Sequence, residues 1–370
     1  MSKRIVIIEN NIIATNTIRY KLTRLLMDKG YQVTVLTTGP AKELQQARDN
    51  GFHVVDVGSS NSNPLDIQRY MRHLRKGLKN AEADVCLTFT IRPAIWGNIV
   101  TRRLGIPTIT NITGIGPLFA SNNIAYRAAR TMYKFVLKKT AHIFFQNNDD
   151  MKLFLDNGFV LPQKAERIPG SGIDPVHYAP MEKTGTDTRF VFLFIGRLVK
   201  DKGILEYVEA ARLLKKQQSQ VVCKVLGPLW TQNLKGNTVT QEELNSWIGE
   251  GVIEYLGETA DVRPFIAAAD SVVLPSYREG TSNILLEASS MERPCITCDT
   301  TGCREIVDDG ETGFLCKVAD ARDLADKMAT MANLPAAVRQ SMGKKARKKV
   351  TREYNKQMVV DAYIRAIERV

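Results

Sequence analysis

In Tyr277-Arg278-Glu279-Gly280-Thr281-Ser282-Asn283-Ile284-Leu285-Leu286-Glu287, two carboxylates with seven residues between them flank a glycine and the start of a helix. The segment before them, Asp270-Ser271-Val272-Val273-Leu274-Pro275, is a short apolar run closed by proline and predicts a buried strand. Ser282 is placed to cap a helix from Asn283 to Met291. A helix start offers unpaired N–H groups and the positive end of the macrodipole. Thr281, Ser282, Asn283 and Ile284 can therefore face a diphosphate, and Gly280 lets it come close. Glu279 lies before that helix, while Glu287 lies more than a turn inside it and can reach another part of the same ligand. A carboxylate accepts two hydrogen bonds side by side, which suits a ribose diol or the hydroxyls of a hexose.

Asp and Glu make up 39 of 370 residues, so a glutamate pair at this spacing arises by accident and its surroundings must supply the specificity. They do so at Phe190-Val191-Phe192-Leu193-Phe194-Ile195, an apolar run too short for a helix. Gly196-Arg197-Leu198-Val199-Lys200-Asp201-Lys202-Gly203 follows it, and then an amphipathic stretch through Lys216. Strand, glycine turn with two cations, and helix form a phosphate-binding arrangement in which Arg197 and Lys202 add side-chain charge to the helix end. Most surface Arg and Lys are merely solvated; here the glutamate motif in the same half of the chain favours a site.

With these motifs the sequence resembles the retaining family 4 glycosyltransferases of GT-B architecture. Gly196-Arg197-Leu198, Lys202-Gly203, Glu279 and Glu287 carry the resemblance, which extends over nearly the whole chain. Gly170-Ser171-Gly172-Ile173-Asp174 looks like the family's interdomain crossing, and Thr301-Gly302-Cys303-Arg304-Glu305-Ile306-Val307 like its loop after the next strand. Phe89-Thr90-Ile91-Arg92-Pro93-Ala94-Ile95-Trp96-Gly97 and Asn111-Ile112-Thr113-Gly114-Ile115-Gly116 are similar to a bacterial branch that extends lipid-diphosphate-linked sugars for capsule, O-antigen or glycoprotein glycans.

Short apolar runs alternating with amphipathic stretches give an α/β chain built from parallel βαβ units. Strands are expected near 4–8, 32–36, 53–57, 84–88, 108–111 and 142–145, and again near 190–195, 221–226, 253–255, 271–274 and 294–297. The resemblance implies two Rossmann-like domains facing a central cleft, with boundaries at 1–165, 166–352 and a C-terminal helix over 353–370 that returns to the N-domain. Pro162 to Pro180, rich in Pro and Gly, and the polar break Thr184-Gly185-Thr186-Asp187 mark the boundary. Ligands of open α/β sheets bind at the carboxyl ends of the strands. Arg197 and Lys202 would hold the leaving diphosphate, Glu279 the donor hexose and Glu287 the ribose. Gly227 and Pro228 with Tyr255 and Leu256 would wall the base. Asn10 and Asn11, Arg92, Thr113 and Gly114 would lie on the acceptor or donor-sugar side.

Many relatives carry two glycines where this chain has Glu9-Asn10-Asn11, and a histidine where it has Thr88-Phe89-Thr90-Ile91-Arg92. A general base from that loop is therefore absent. In the front-face mechanism that the resemblance implies, the departing diphosphate oxygen accepts the proton, and catalysis is electrostatic preorganisation. The expected reaction is transfer of a hexose or N-acetylhexosamine from a UDP-linked sugar to a growing polyprenyl-diphosphate-linked glycan. A GT-B epimerase or hydrolase, or a basic nucleic-acid-binding protein, are the competing classes. The last lacks a helix-turn-helix, zinc finger or aromatic RNA-binding motif, so no nucleic acid is expected.

The six cysteines are scattered, and Cys295-Ile296-Thr297-Cys298 sits in an expected strand with no second ligand pair, so no metal or other cofactor is expected. No apolar run reaches the roughly 20 residues of a spanning helix, and the first strand is too short for a secretory signal. A cytoplasmic protein is expected, peripheral at the inner face of the cell membrane. The formal charge of +12 asks for an anionic partner. Two basic helices of the first half, Arg69 to Lys79 and Tyr126 to Lys139, are expected to dock on the membrane surface near the acceptor, with Met132, Tyr133 and Phe135 adding shallow contact. The run Lys344-Lys345-Ala346-Arg347-Lys348-Lys349 is expected to be a solvated helix face.

Overall fold

The computed structural model describes residues 2–58, 63–115, 124–183, 189–217, 220–230 and 236–370. Gly116 and the polar break 184–187 lie outside them. Two compact units form, Met1–Ser171 with Gln357–Val370, and Gly172–Lys356. These junctions fall a few residues beyond the boundaries set from sequence, 165/166 and 352/353.

The first unit runs β1 (Arg4–Ile8), α1 (Ile12–Asn16), α2 (Tyr20–Asp28), β2 (Gln32–Thr37), α3 (Ala41–Asp49), β3 (His53–Asp56), α4 (Pro64–Asn80), β4 (Val85–Phe89), a π-helical turn (Pro93–Gly97), α5 (Asn98–Leu104), β5 (Thr108–Ile112), α6 (Ile124–Leu137), β6 (His142–Phe145), α7 (Asn148–Asp156) and β7 (Ala165–Arg167). Its strands form one parallel sheet in the order β3-β2-β1-β4-β5-β6-β7. Helices on both faces of a parallel sheet bury its strands, which is why β1, β4, β5 and β6 are nearly pure apolar or Thr runs.

The second unit repeats the winding with β8 (Phe190–Ile195), α8 (Ile204–Gln217), β9 (Val221–Leu226), α9 (Gln241–Gly249), β10 (Glu254–Tyr255), α10 (Arg263–Ala268), β11 (Ser271–Leu274), α11 (Asn283–Ser290), β12 (Cys295–Cys298), β13 (Gly313–Cys316), α12 (Ala321–Asn333) and α13 (Ala336–Glu353). The parallel order is β10-β9-β8-β11-β12-β13. Strand order reverses between β1 and β4 in one sheet and between β8 and β11 in the other, and a doubly wound sheet binds its ligands at such switch points. Two strands were not expected. β7, Ala-Glu-Arg, carries no apolar signature, and β13 is a four-residue strand behind a tight turn at Gly310.

The last helix, α14 (Lys356–Glu368), does return to the first unit, as expected. Its Val359, Val360, Tyr363, Ala366 and Ile367 join Ile5, Ile7, Leu87, Phe89 and Phe144 in one core. The Tyr363 ring lies 4.8 Å from that of Phe144 and 5.8 Å from that of Phe89, and its hydroxyl accepts a 2.7 Å hydrogen bond from Asn111. Within the second unit the outgoing and returning strands of chain run side by side, because Ile173 N–H donates to Tyr354 O at 2.7 Å and Lys356 N–H to Ile173 O at 2.9 Å.

Two expectations about basic helices are corrected. α13 is not simply a solvated face: Arg347 is half-buried and donates to the carbonyls of Tyr178, Ser290 and Pro175, and Lys349 pairs with Asp308 at 2.6 Å. In α6, Tyr133 cannot touch a membrane, because it is 1% exposed and packs edge-on against Phe154. At helical spacing Tyr133 shares the inward face with Val136 and Leu137, whereas Phe135 is 63% exposed.

Candidate functional site

The carboxyl ends of β8 and β11 gather the residues that sequence singled out. Lys202 closes the short 3₁₀ turn Lys200–Lys202 after β8, Glu279 lies on the loop after β11, and their side chains form a part-buried ion pair. Backbone contacts fix both loops. Tyr277 N–H donates to Asp201 O at 2.9 Å, and Glu279 N–H donates to Thr301 O at 3.0 Å. The hydroxyl of Thr300 donates to Tyr277 O at 2.9 Å. Tyr277 OH in turn donates to Glu206 Oε1 of α8 at 2.7 Å.

Two glycines allow this packing. Gly203 has φ +74°, and a Cβ there would lie 2.0 Å from Pro275 O; Gly302 has φ +79°, and its Cβ would lie 2.4 Å from Glu279 O. Any side chain at either position would push one partner of the ion pair out of place. Ser282 stands at the N-cap of α11 as expected but makes no side-chain cap; its N–H donates instead to Gly302 O at 3.0 Å, and the helix ends at Ser290.

Arg197 is not part of the Lys202–Glu279 pair. It is exposed, and its guanidinium lies 4.9 Å from the centre of the Trp230 ring, a partner that no motif in the sequence marks. Gly196, Gly227, Pro228, Tyr255 and Leu256 do come together. Gly196 N–H donates to Leu226 O at 3.0 Å, Leu198 N–H to Pro228 O at 3.0 Å, Gly227 N–H to Gly257 O at 2.8 Å, Leu256 N–H to Val225 O at 2.8 Å, and Tyr255 OH to Gly227 O at 2.9 Å.

Glu287, inside α11, is half-buried and accepts a hydrogen bond from Tyr178 OH. Burial pushes its pKa up to about 7, against the opposing pull of that bond and of Lys356. Tyr178 was not foreseen, since nothing local distinguishes a tyrosine that reaches across more than a hundred residues.

At the switch point of the first unit, Glu9 and Arg19 form a buried pair at 3.1 Å, exposed 2% and 3%. Burial raises the Glu9 pKa to about 7 although Arg19 and the Asn10 N–H oppose it. Arg19 also lies 4.3 Å over the Phe89 ring and donates to Ser171 Oγ at 2.7 Å. Of the candidates on this edge, Asn10 and Arg92 are exposed, and Thr113 and Gly114 are half-buried beyond β5. Asn11 serves the fold by accepting from Ile13 N–H at 2.9 Å as the N-cap of α1. The sequence shows Glu9 in its loop but gives no sign that Arg19 meets it. All six cysteines are free and buried.

Residues 189–333 match the family model described as glycosyl transferases group 1, and residues 12–147 match that described as glycosyl transferase 4-like. Over 371 aligned residues, 95% of each chain, the sequence is 24% identical to the N,N'-diacetylbacillosaminyl-diphospho-undecaprenol alpha-1,3-N-acetylgalactosaminyltransferase of Campylobacter jejuni. It is 28% identical to the UDP-Gal:alpha-D-GlcNAc-diphosphoundecaprenol alpha-1,3-galactosyltransferase of Escherichia coli, covering 76% of this chain and 74% of that one. The fold matches that of Anabaena HepE in complex with UDP and glucose, with TM-score 0.82 and 15% identity over the full length of both chains. It also matches a glycosyltransferase from Rickettsia africae with TM-score 0.80 and 16% identity, covering 100% and 98% of the two chains.

The raised pKa of Glu287 has a definite linkage sign. Between about 4.5, its ordinary value, and about 7, the folded chain holds a proton that the unfolded chain has released, so this group's contribution makes stability fall as pH rises through that window. Glu287→Gln is expected to remove this share of the fall, so that the difference in urea midpoint between variant and wild type moves in the variant's favour from pH 5 to pH 8. An unchanged difference would contradict the burial of this carboxylate.

Proposed function

The chain is a glycosyltransferase of the group 1 and 4-like families with a GT-B fold, and from that premise we propose that it transfers a hexose or N-acetylhexosamine, with retention, from a UDP-linked sugar to a hydroxyl of a polyprenyl-diphosphate-linked glycan. The observation that carries this reading is the Lys202–Glu279 pair at the switch point of the second sheet. The names of the C. jejuni and E. coli relatives, both acting on diphosphoundecaprenol-linked sugars, support the acceptor class, and the UDP and glucose held by HepE support the donor class.

In this mechanism Lys202 and Arg197 meet the diphosphate. An ammonium has three donors, so Lys202 keeps one on Glu279 while turning others to phosphate oxygens. Glu279 accepts from hydroxyls of the donor hexose beside the breaking bond, and Glu287, with Tyr178 fixing its carboxylate, accepts from the ribose. The bond from the anomeric carbon to the diphosphate oxygen breaks, the acceptor oxygen attacks on the same face, and its proton passes to the departing oxygen. The side chains stabilise developing charge and need no general base or cofactor. Arg197→Ala and Lys202→Ala are each expected to lower turnover by about 10²-fold while leaving the fold intact by circular dichroism. Full activity in both variants, or an inverted anomer in the product by NMR, contradicts the mechanism.

The acceptor reading includes a membrane surface. Among the described residues no helix is long and apolar enough to cross a membrane. α5 packs against both α4 and α6. This layer exposes Arg72 and Lys76 of α4, Arg102 of α5, and Arg127 and Phe135 of α6, with Lys138 just beyond. Arg102 sits 5.3 Å over the Phe135 ring, so the exposed aromatic lies beside positive charge. Lys134, in contrast, donates to Asn157 O at 2.8 Å. Each exposed cation is expected to add on the order of 1 kcal/mol to binding of anionic lipid. The full chain is expected to float with anionic liposomes at low salt and to be released at high salt. Replacing Arg72, Lys76, Arg127 and Lys138 by Gln is expected to release it while leaving transfer to a short water-soluble acceptor almost unchanged. A wild-type chain that stays unbound at low salt returns these cations to ordinary solvation.

A further inference from the structure

The cation loop after β8 is stitched to the loop that follows β9. Leu198 pairs with Leu229 and Val199 with Thr238. Lys200 N–H donates to Asn237 O at 2.8 Å, and the Asn237 amide donates to Asp201 Oδ2 at 2.7 Å. Trp230 stands on this second loop, half-buried, with its ring against the guanidinium of the exposed Arg197.

The contact uses the two groups in a specific way. An exposed arginine carries large rotamer freedom, which must be lost each time it grips an anion. An indole packed against the guanidinium restricts that freedom. An aromatic ring has no carboxylate oxygens to take up the N–H edges that phosphate binds. A carboxylate partner would occupy those edges and compete, as Glu250 does on Arg212 in the same unit. An aromatic partner orients the cation and leaves its donors available.

We propose that Trp230 is a positioning residue for the diphosphate: it holds Arg197 over the end of β8 so that the cation meets the second phosphate of the nucleotide already ordered. The proposal rests on the donor reading above and adds to it a residue that touches no reacting atom. Its signature is selective. Trp230 should matter for nucleoside diphosphate, not for the monophosphate, and only while Arg197 is present.

The test is calorimetry of UDP and UMP on the full chain for wild type, Arg197→Ala, Trp230→Ala, Trp230→Phe and the double alanine variant, each first shown to keep the wild-type melting temperature within a few degrees. The UDP-to-UMP affinity ratio is expected to fall about tenfold in Arg197→Ala and about three- to fivefold in Trp230→Ala, to be largely restored in Trp230→Phe, and in the double variant to equal that of Arg197→Ala. A ratio kept in Trp230→Ala but lost in Arg197→Ala overturns the role of Trp230 and leaves the donor reading intact. So does a further loss in the double variant, which makes Trp230 a direct contact. A wild-type chain that gains nothing from the second phosphate overturns the donor reading, and the positioning role with it.

Discussion

A lysine and a glutamate held together at the carboxyl edge between β8 and β11 set the terms for the rest of the second unit. Charges withdrawn from water lose hydration, and mutual attraction offsets that loss only when the geometry is held. Here the backbone holds it. The turn carrying Lys202 accepts from Tyr277 N–H on the loop after β11, the Glu279 N–H donates to Thr301 O, and glycines at 203 and 302 remove the side chains that would keep these segments apart. Truncating either partner alone would leave the other charge half-buried and unpaired, so the pair persists as a unit. A sugar diphosphate suits such a unit because it brings phosphate oxygens to the ammonium and hydroxyl donors to the carboxylate.

The first unit places a buried pair at the corresponding edge, yet with a different balance. Glu9 and Arg19 are almost sealed from solvent, and Arg19 is shared with the Phe89 ring and Ser171. This pair joins the ends of β1 and β4 to the last residue before the chain crosses to the second unit. The returning helix α14 locks the neighbouring strands through Tyr363 and Asn111. On α4, α5 and α6 the first unit keeps a layer of cations open to solvent.

Much of this was legible because parallel βαβ winding writes itself into sequence as short apolar runs, and ligand loops follow from it. β1, β6, β8, β9 and β11 fall where the apolar runs placed them, since each is buried on both faces. β7 and β13 escaped because a three-residue polar strand and a short strand behind a turn carry too little periodicity. Lys202 and Glu279 were each visible by motif, but their direct pairing was not, since it depends on two loops 77 positions apart meeting. Tyr178, Arg19 and Trp230 were missed for the same reason. Their roles arise from tertiary contact, and residue type alone does not announce it. Tyr133 shows the converse: a basic, aromatic helix reads as a membrane face until packing turns one ring into the core.

The measurement that bears most directly on the central claim is UDP affinity and turnover in Glu279→Gln. If the carboxylate serves the sugar while Lys202 serves the diphosphate, neutralising it leaves Lys202 with its full charge for the nucleotide. UDP should bind at least as tightly as to the wild-type chain, by calorimetry, while turnover falls by about 10²-fold. UDP affinity that falls in step with turnover, or turnover that survives the change, would contradict the division of roles on which the account rests.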